Sequence, residues 1–213
     1  MASRMKGTDR RLQLLEASIR CFAEYGYKGT TTARLAKAAG VTEPVLYKHF
    51  ASKRHLFVAL LEQVGREVMR AWRRAIAPLE SPLEQLRVLL RMNPAITDPR
   101  AGQLYRVIFA AQAEVNEPEI RAALREHYQQ YAEFLTNLIK RAQARHQVRR
   151  DVSAPGLAWQ LIHAGIGFAL IDPLSVPGHA TPGIVEQTIA LLMEILSGER
   201  SSAISRGEDS IPP

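Results

Sequence analysis

At 213 residues, 46% apolar and 23% charged, the chain is long enough for one large or two small domains and too apolar to be disordered. The longest uninterrupted apolar run, Ala164 to Ile171, is too short to cross a bilayer. Charge-studded Met1–Arg20 holds no apolar signal core, so a cytoplasmic protein with no membrane partner is expected. The lone cysteine, Cys21, excludes an internal disulfide and a multi-cysteine metal site. The formal net charge of +7 is uneven: residues 1–75 carry 15 Lys+Arg against 6 Asp+Glu, a net of +9, and residues 76–213 carry a net of −2. A basic first third on a mildly acidic remainder points to a polyanion-binding module joined to a second unit. Charge alone does not choose between nucleic acid and a membrane surface.

Apolar residues recur at helical spacing nearly throughout, and no stretch alternates as a strand would, so the fold is read as all-α with about nine helices. A first helix is predicted over Asp9–Tyr25, with Leu12, Leu15, Ile19 and Phe22 on its apolar face and Cys21 half-buried. Gly26 ends it as a left-handed cap. Thr30, Thr31 and Thr32 offer N-cap hydroxyls to a short second helix ending at Ala39, and Gly40 permits a tight turn. Thr42 caps a third helix, Glu43–Phe50, with Pro44 in its first turn; Ser52 caps a long fourth one, Lys53–Ile76. Later starts are marked by Ser81-Pro82-Leu83-Glu84, Asp98-Pro99, Glu117-Pro118, Ser153 and Thr181-Pro182. The expected ends are Val115, His146, the residue before Asp172-Pro173, and Leu196. Residues 1–8 and 199–213 are read as flexible tails, with one helical unit over 9–55 and a second over 56–198.

Residues 32–46 satisfy the helix-turn-helix pattern. Leu35 and Val41 are apolar, Ala36 is small enough for two helices to approach, Gly40 makes the turn, and Leu46 anchors the second helix. The pattern lies inside the basic third, which favours nucleic acid as the polyanion.

The run Phe22-Ala23-Glu24-Tyr25-Gly26-Tyr27, followed by Thr30-Thr31, Leu35-Ala36, Ala39-Gly40-Val41, Leu46-Tyr47-Lys48-His49-Phe50 and Ser52-Lys53, resembles the DNA-binding domain of the TetR family. The resemblance covers roughly residues 9–60. It implies an all-helical homodimer, double-stranded DNA as partner, and a small-molecule pocket in the C-terminal domain; most members are repressors released by ligand. It also implies phosphate contacts at Tyr47, His49 and Lys53. On chemical grounds Lys48 joins them, and Thr32 and Thr42 can touch phosphates while capping helices. Base reading is expected from Glu43, Pro44, Val45 and Lys48. Val45 suits a thymine methyl, and Glu43 either accepts from cytosine or only stabilises the helix dipole. Arg34 is placed at backbone or a base edge.

In the C-terminal part, Tyr105, Phe109, Gln112, Tyr131, Trp159, His163 and Phe168 are the candidate effector contacts, with core packing as the plain alternative for each aromatic. A mainly apolar effector with one or two polar contacts is expected. Gly165 and Gly167 would allow close helix approach. With the stripe Ile184, Thr188, Leu191 and Ile195 they fit the dimer interface that the resemblance implies; packing within one subunit is the alternative. No nucleophile elbow, phosphate loop, dinucleotide fingerprint or metal-ligand spacing is present, so no enzyme, cofactor or metal is expected. The reading is a ligand-responsive regulator, most simply a repressor on a palindromic operator, with an activator or a ligand-independent repressor of the same fold as alternative.

Overall fold

The computed structural model describes residues 7–92 and 99–198. Nine α-helices lie among them: α1 Gly7–Gly29, α2 Thr32–Ala38, α3 Glu43–His49, α4 Lys53–Ile76, α5 Pro82–Arg91, α6 Pro99–Gln112, α7 Pro118–Ala144, α8 Ala154–Ile171 and α9 Pro182–Ser197. A 3-10 turn, Asp172–Leu174, follows α8. No strand occurs among the described residues. Of the expected tails 1–8 and 199–213, residues 1–6 and 199–213 lie outside the described residues, as does Asp98, and residues 7 and 8 belong to α1 instead of a tail.

Side-chain chemistry sets the helix starts. Thr31, Ser52, Ser81, Ser153 and Thr181 each accept a backbone N–H from the residue three positions on, and proline occupies the first turn of α3, α5, α7, α8 and α9. Gly26 takes the expected positive φ of 66°, but it kinks α1 rather than ending it, and a last turn runs on to Gly29. The carbonyls freed there are satisfied from outside the helix. Thr30 Oγ1 donates to Cys21 O (3.0 Å) and Gly26 O (2.7 Å), while Lys53 Nζ donates to Tyr27 O (2.9 Å) and Thr30 O (3.0 Å).

Two hydrophobic clusters build the interior. The first joins α1–α4 to α6 and the start of α7. Leu14, Leu15, Phe22, Leu35, Leu46, Phe57, Leu60 and Ile120 are among its fully buried members, and the Phe22 and Phe57 rings lie 4.5 Å apart. Leu12, expected on the inner face, is 45% exposed; the inward register runs through Leu14 instead. Cys21 is buried rather than half-buried, and burial pushes its thiol pKa up. The second cluster joins the end of α4 to α5, α7, α8 and α9 through Leu86, Leu138, Ile139, Ala158, Leu161 and Leu196. Ion pairs tie the first unit to the second: Arg54 reaches Glu117 (3.2 Å) and Glu119 (3.0 Å), and Lys28 reaches Glu114 (3.5 Å).

The segment Ala154–Leu174 is long and apolar enough to cross a membrane by length and composition, and a third of it is buried. An unbroken apolar run understates this helix, because Gln160 and His163 interrupt the run while the helix carries no charged residue.

Candidate DNA interface and effector cavity

The turn between α2 and α3 is closed by backbone alone. Val41 N donates to Ala36 O (3.0 Å), Gly40 N donates to Lys37 O (3.1 Å), and Gly40 has φ of 65°. This is a Schellman motif, whose left-handed position suits glycine. Buried Ala36 and Leu46 hold α2 and α3 together. Leu46 is wholly inside, so the opposite face of α3 must point out. Pro44, Tyr47 and Lys48 are exposed, and Glu43, Val45 and His49 are half-buried.

The predicted contact residues have different degrees of freedom. Tyr47, at 48% exposure, and Lys48 project from the outer face. Thr32 Oγ1 donates to Glu43 Oε2 at 2.6 Å, which ties the start of α3 to the start of α2. Thr42 takes the N-cap backbone conformation of α3 without a side-chain cap bond; Thr31, not Thr32, caps α2. The Arg34 guanidinium lies 3.6 Å from the centre of the Tyr25 ring and is exposed. Lys53 is the most constrained. Besides its two carbonyls, its ammonium sits 4.4 Å from the Tyr27 ring centre, and burial lowers its pKa. Two of its three N–H groups are committed within the fold.

A second site lies between the helices of the C-terminal part. A cavity of about 130 Å³ is walled by Val64, Val68 and Trp72 of α4, Leu86, Leu89 and Leu90 of α5, Leu104, Tyr105 and Ile108 of α6, His127, Tyr128, Tyr131 and Leu135 of α7, and residues of α8 and α9. An engineered apolar cavity of roughly 150 Å³ is known to take up benzene. Of the expected effector contacts, Tyr105, Tyr131 and Phe168 line this space. Phe109 stacks behind Tyr105 with ring centres 6.2 Å apart, and Gln112 is exposed and reaches Tyr128 Oη (3.5 Å). Trp159 and His163 pair with each other on the outer face of α8, away from the cavity. Sequence reasoning missed Trp72 and His127. The register shows both: His127 continues the spacing of Leu124, Tyr131, Leu135 and Leu138, and Trp72 follows Val64 and Val68 at steps of four.

Burial governs the ionisable groups around the cavity. His127 is 7% exposed, and desolvation drops its pKa to about 4, so the ring is neutral at pH 7. Burial raises Tyr105 to about 12, raises Tyr131 well above its ordinary value, and raises Tyr128 against the opposing hydrogen bond from Gln112. Among the described residues no group of three or more His, Cys, Asp or Glu is placed to hold a metal ion.

The expected dimer residues fall on two faces. Ile184, Leu191 and Ile195 are 43%, 47% and 43% exposed, so packing within the subunit covers them only in part. A β-carbon added at Gly167 would meet nothing within 4 Å. Gly165 and Thr188 instead border the cavity, and Thr188 Oγ1 donates to Ile184 O (2.8 Å).

Residues 14–60 match the family model described as bacterial regulatory proteins, tetR family. The chain is 30% identical over 155 residues to the HTH-type transcriptional activator FasR of Mycolicibacterium smegmatis, covering 73% of this chain and 70% of that protein. It is 29% identical over 182 residues to the HTH-type transcriptional repressor AcnR of Corynebacterium efficiens, covering 85% and 89%. The transcriptional regulator FadR of Bacillus subtilis, solved with stearoyl-CoA, shares the fold with a TM-score of 0.68 at 15% identity, over 87% of this chain and 98% of that one.

Proposed function

The chain belongs to the tetR family of bacterial regulatory proteins and is a DNA-binding transcription regulator, and on that premise we propose a homodimeric, effector-released repressor of a palindromic operator. Residues 9–55 form the reading domain and 56–198 the regulatory and dimerising one. The observation that carries the DNA role is the outward face of α3 on its buried Leu46 anchor. In a twofold dimer two such helices enter successive major grooves about 34–36 Å apart. Tyr47, Lys48, His49 and Arg34 contact phosphates, joined by Thr32 and Thr42 at the helix starts and by the third N–H of Lys53. Pro44 and Val45 meet base edges. Glu43, held by Thr32, orients α3 first and reads a base only if the duplex displaces that bond. A protein that acts on DNA in a bacterium works in the cytoplasm.

Dimerisation through α8 and α9 accounts for the exposed apolar surface of Trp159, Leu170, Ile171, Ile184, Leu191 and Ile195. The cavity is the effector site, contacted by Tyr105, Tyr131, Phe168, Trp72 and His127. FadR of Bacillus subtilis holds stearoyl-CoA, whose acyl tail is apolar and whose coenzyme A head is anionic, so this fold has room for an apolar tail. An effector that binds better to a conformation with the wrong separation of the two α3 helices weakens DNA binding by linkage. The names of the relatives favour a repressor and an activator alike. The repressor reading therefore rests on the cavity and on how most of the family works.

Selection of bound duplexes from a random pool tests the proposal directly. Recovery of an inverted repeat with half-sites one helical turn apart is the expected result. Recovery of a single undivided site, or no enrichment, refutes the dimeric operator. Light scattering that shows a monomer at micromolar concentration refutes the dimer itself.

A further inference from the structure

The walls of the cavity specify the charge and polarity of its occupant more narrowly than size does. Among the described residues, no Lys, Arg, Asp or Glu lines it. Two polar atoms of its lining residues, Trp72 Nε1 and His127 Nδ1, are buried with no hydrogen-bond partner among the described residues. The residues that carry them are joined through Tyr131, whose ring lies 5.1 Å from Trp72 and 4.5 Å from His127. Indole nitrogen can only donate. His127 Nδ1 is pressed against α4 at Gly65, where an added methyl would stand 3.2 Å from it. An unpaired N–H there is more costly than an unpaired lone pair, which assigns the proton to Nε2 and makes the imidazole a second donor. Burial keeps that ring neutral at physiological pH. The cavity thus combines an apolar wall with donors and offers no counter-ion.

We propose that the effector is an uncharged molecule with an apolar body and a hydrogen-bond-accepting oxygen, of the ketone, ester or alcohol class, that accepts from Trp72 Nε1–H. This inference rests on the reading of the cavity as the effector site and narrows it. A carboxylate or an ammonium group would enter without an opposite charge to repay its lost hydration. A neutral oxygen gives the indole N–H the partner that the described residues do not supply.

Calorimetric titration of the full chain at pH 7.5 with four probes of equal length tests this: 2-octanone, 1-octanol, octanoate and octylammonium. The ketone and the alcohol should bind at least tenfold more tightly than either ion. Trp72→Phe keeps the ring and removes the donor, and should weaken 2-octanone about tenfold, the ordinary worth of one hydrogen bond to a buried group. If that variant does not fold, the Trp72 indole N–H resonance of the unaltered chain gives the same reading: 2-octanone should move it downfield, and an unmoved resonance overturns the indole contact. Octanoate or octylammonium binding as tightly as the ketone overturns the neutral class but leaves the cavity as an effector site. Unchanged ketone affinity in Trp72→Phe overturns the indole contact. Failure of all four probes to bind overturns both this inference and the effector reading.

Discussion

Around α3 the core side chains Leu35, Leu46, Phe22 and Phe57 are at 0% exposure, and the buried hydroxyls of Ser18 and Thr30 donate to main-chain carbonyls. Around α7 the same kinds of residue leave a cavity, and two buried nitrogens have no partner. One region is packed to hold a single arrangement. The other retains space and unmet hydrogen bonds, so an added molecule can change its energy. Close packing transmits displacement, whereas a cavity allows rearrangement. On the proposed function, the packed region is the reader and the hollow one the sensor.

Substitutions can break this contrast, and the largest effect belongs to the packed side. Leu46→Ala removes the anchor of α3 and should cost about 3 kcal/mol, measured by urea unfolding, with operator binding lost in parallel. A loss below about 1 kcal/mol would mean that the site collapses readily and that the packing contrast is false. Next comes acid. His127 has its ordinary pKa of 6.5 when unfolded and about 4 when folded, so the unfolded chain takes up the proton first. Stability present above pH 6.5 is lost as pH falls toward 4, by ~2 kcal/mol between pH 7.5 and 5. His127→Leu should flatten that slope. Thr32→Val breaks the bond that aligns α2 with α3 and should cost about 1 kcal/mol, with Glu43→Gln costing less because the amide oxygen still accepts. Smallest in stability is Lys48→Ala. Folding should be unmoved, while affinity drops evenly across operator sequences and the salt slope of binding falls by about 1.

The legible parts of the sequence were those that local chemistry decides. Helix starts followed from Thr31, Ser52, Ser81 and the first-turn prolines, and the outward face of α3 followed from Leu46 and the turn at Gly40. Adjacent apolar residues defeated the register of α1. With Leu12, Leu14 and Leu15 together, spacing alone does not say which one turns outward. Lys53 looked free because its partners, Tyr27 at the end of α1 and Thr30 in the link after it, lie more than twenty residues earlier. The cavity was half legible. Tyr105, Tyr131 and Phe168 were found as aromatics, but Trp159 and His163 obey the same composition rule on the outside of the same helix as Phe168. His127 was hidden because a histidine in an apolar register reads as polar until its neighbours in space are known.

The ion pairs of Arg54 with Glu117 and Glu119 and of Lys28 with Glu114 lie at the junction of the two units and reach solvent. Electrolyte weakens such contacts. A titration of operator affinity against potassium chloride therefore measures counter-ions leaving the phosphates and, with them, slackening of the mechanical coupling between sensor and reader. Arg54→Ala separates the two. On the proposed function, its effector response at low salt should move toward that of the unaltered chain at high salt, with the Lys28–Glu114 pair holding the remainder.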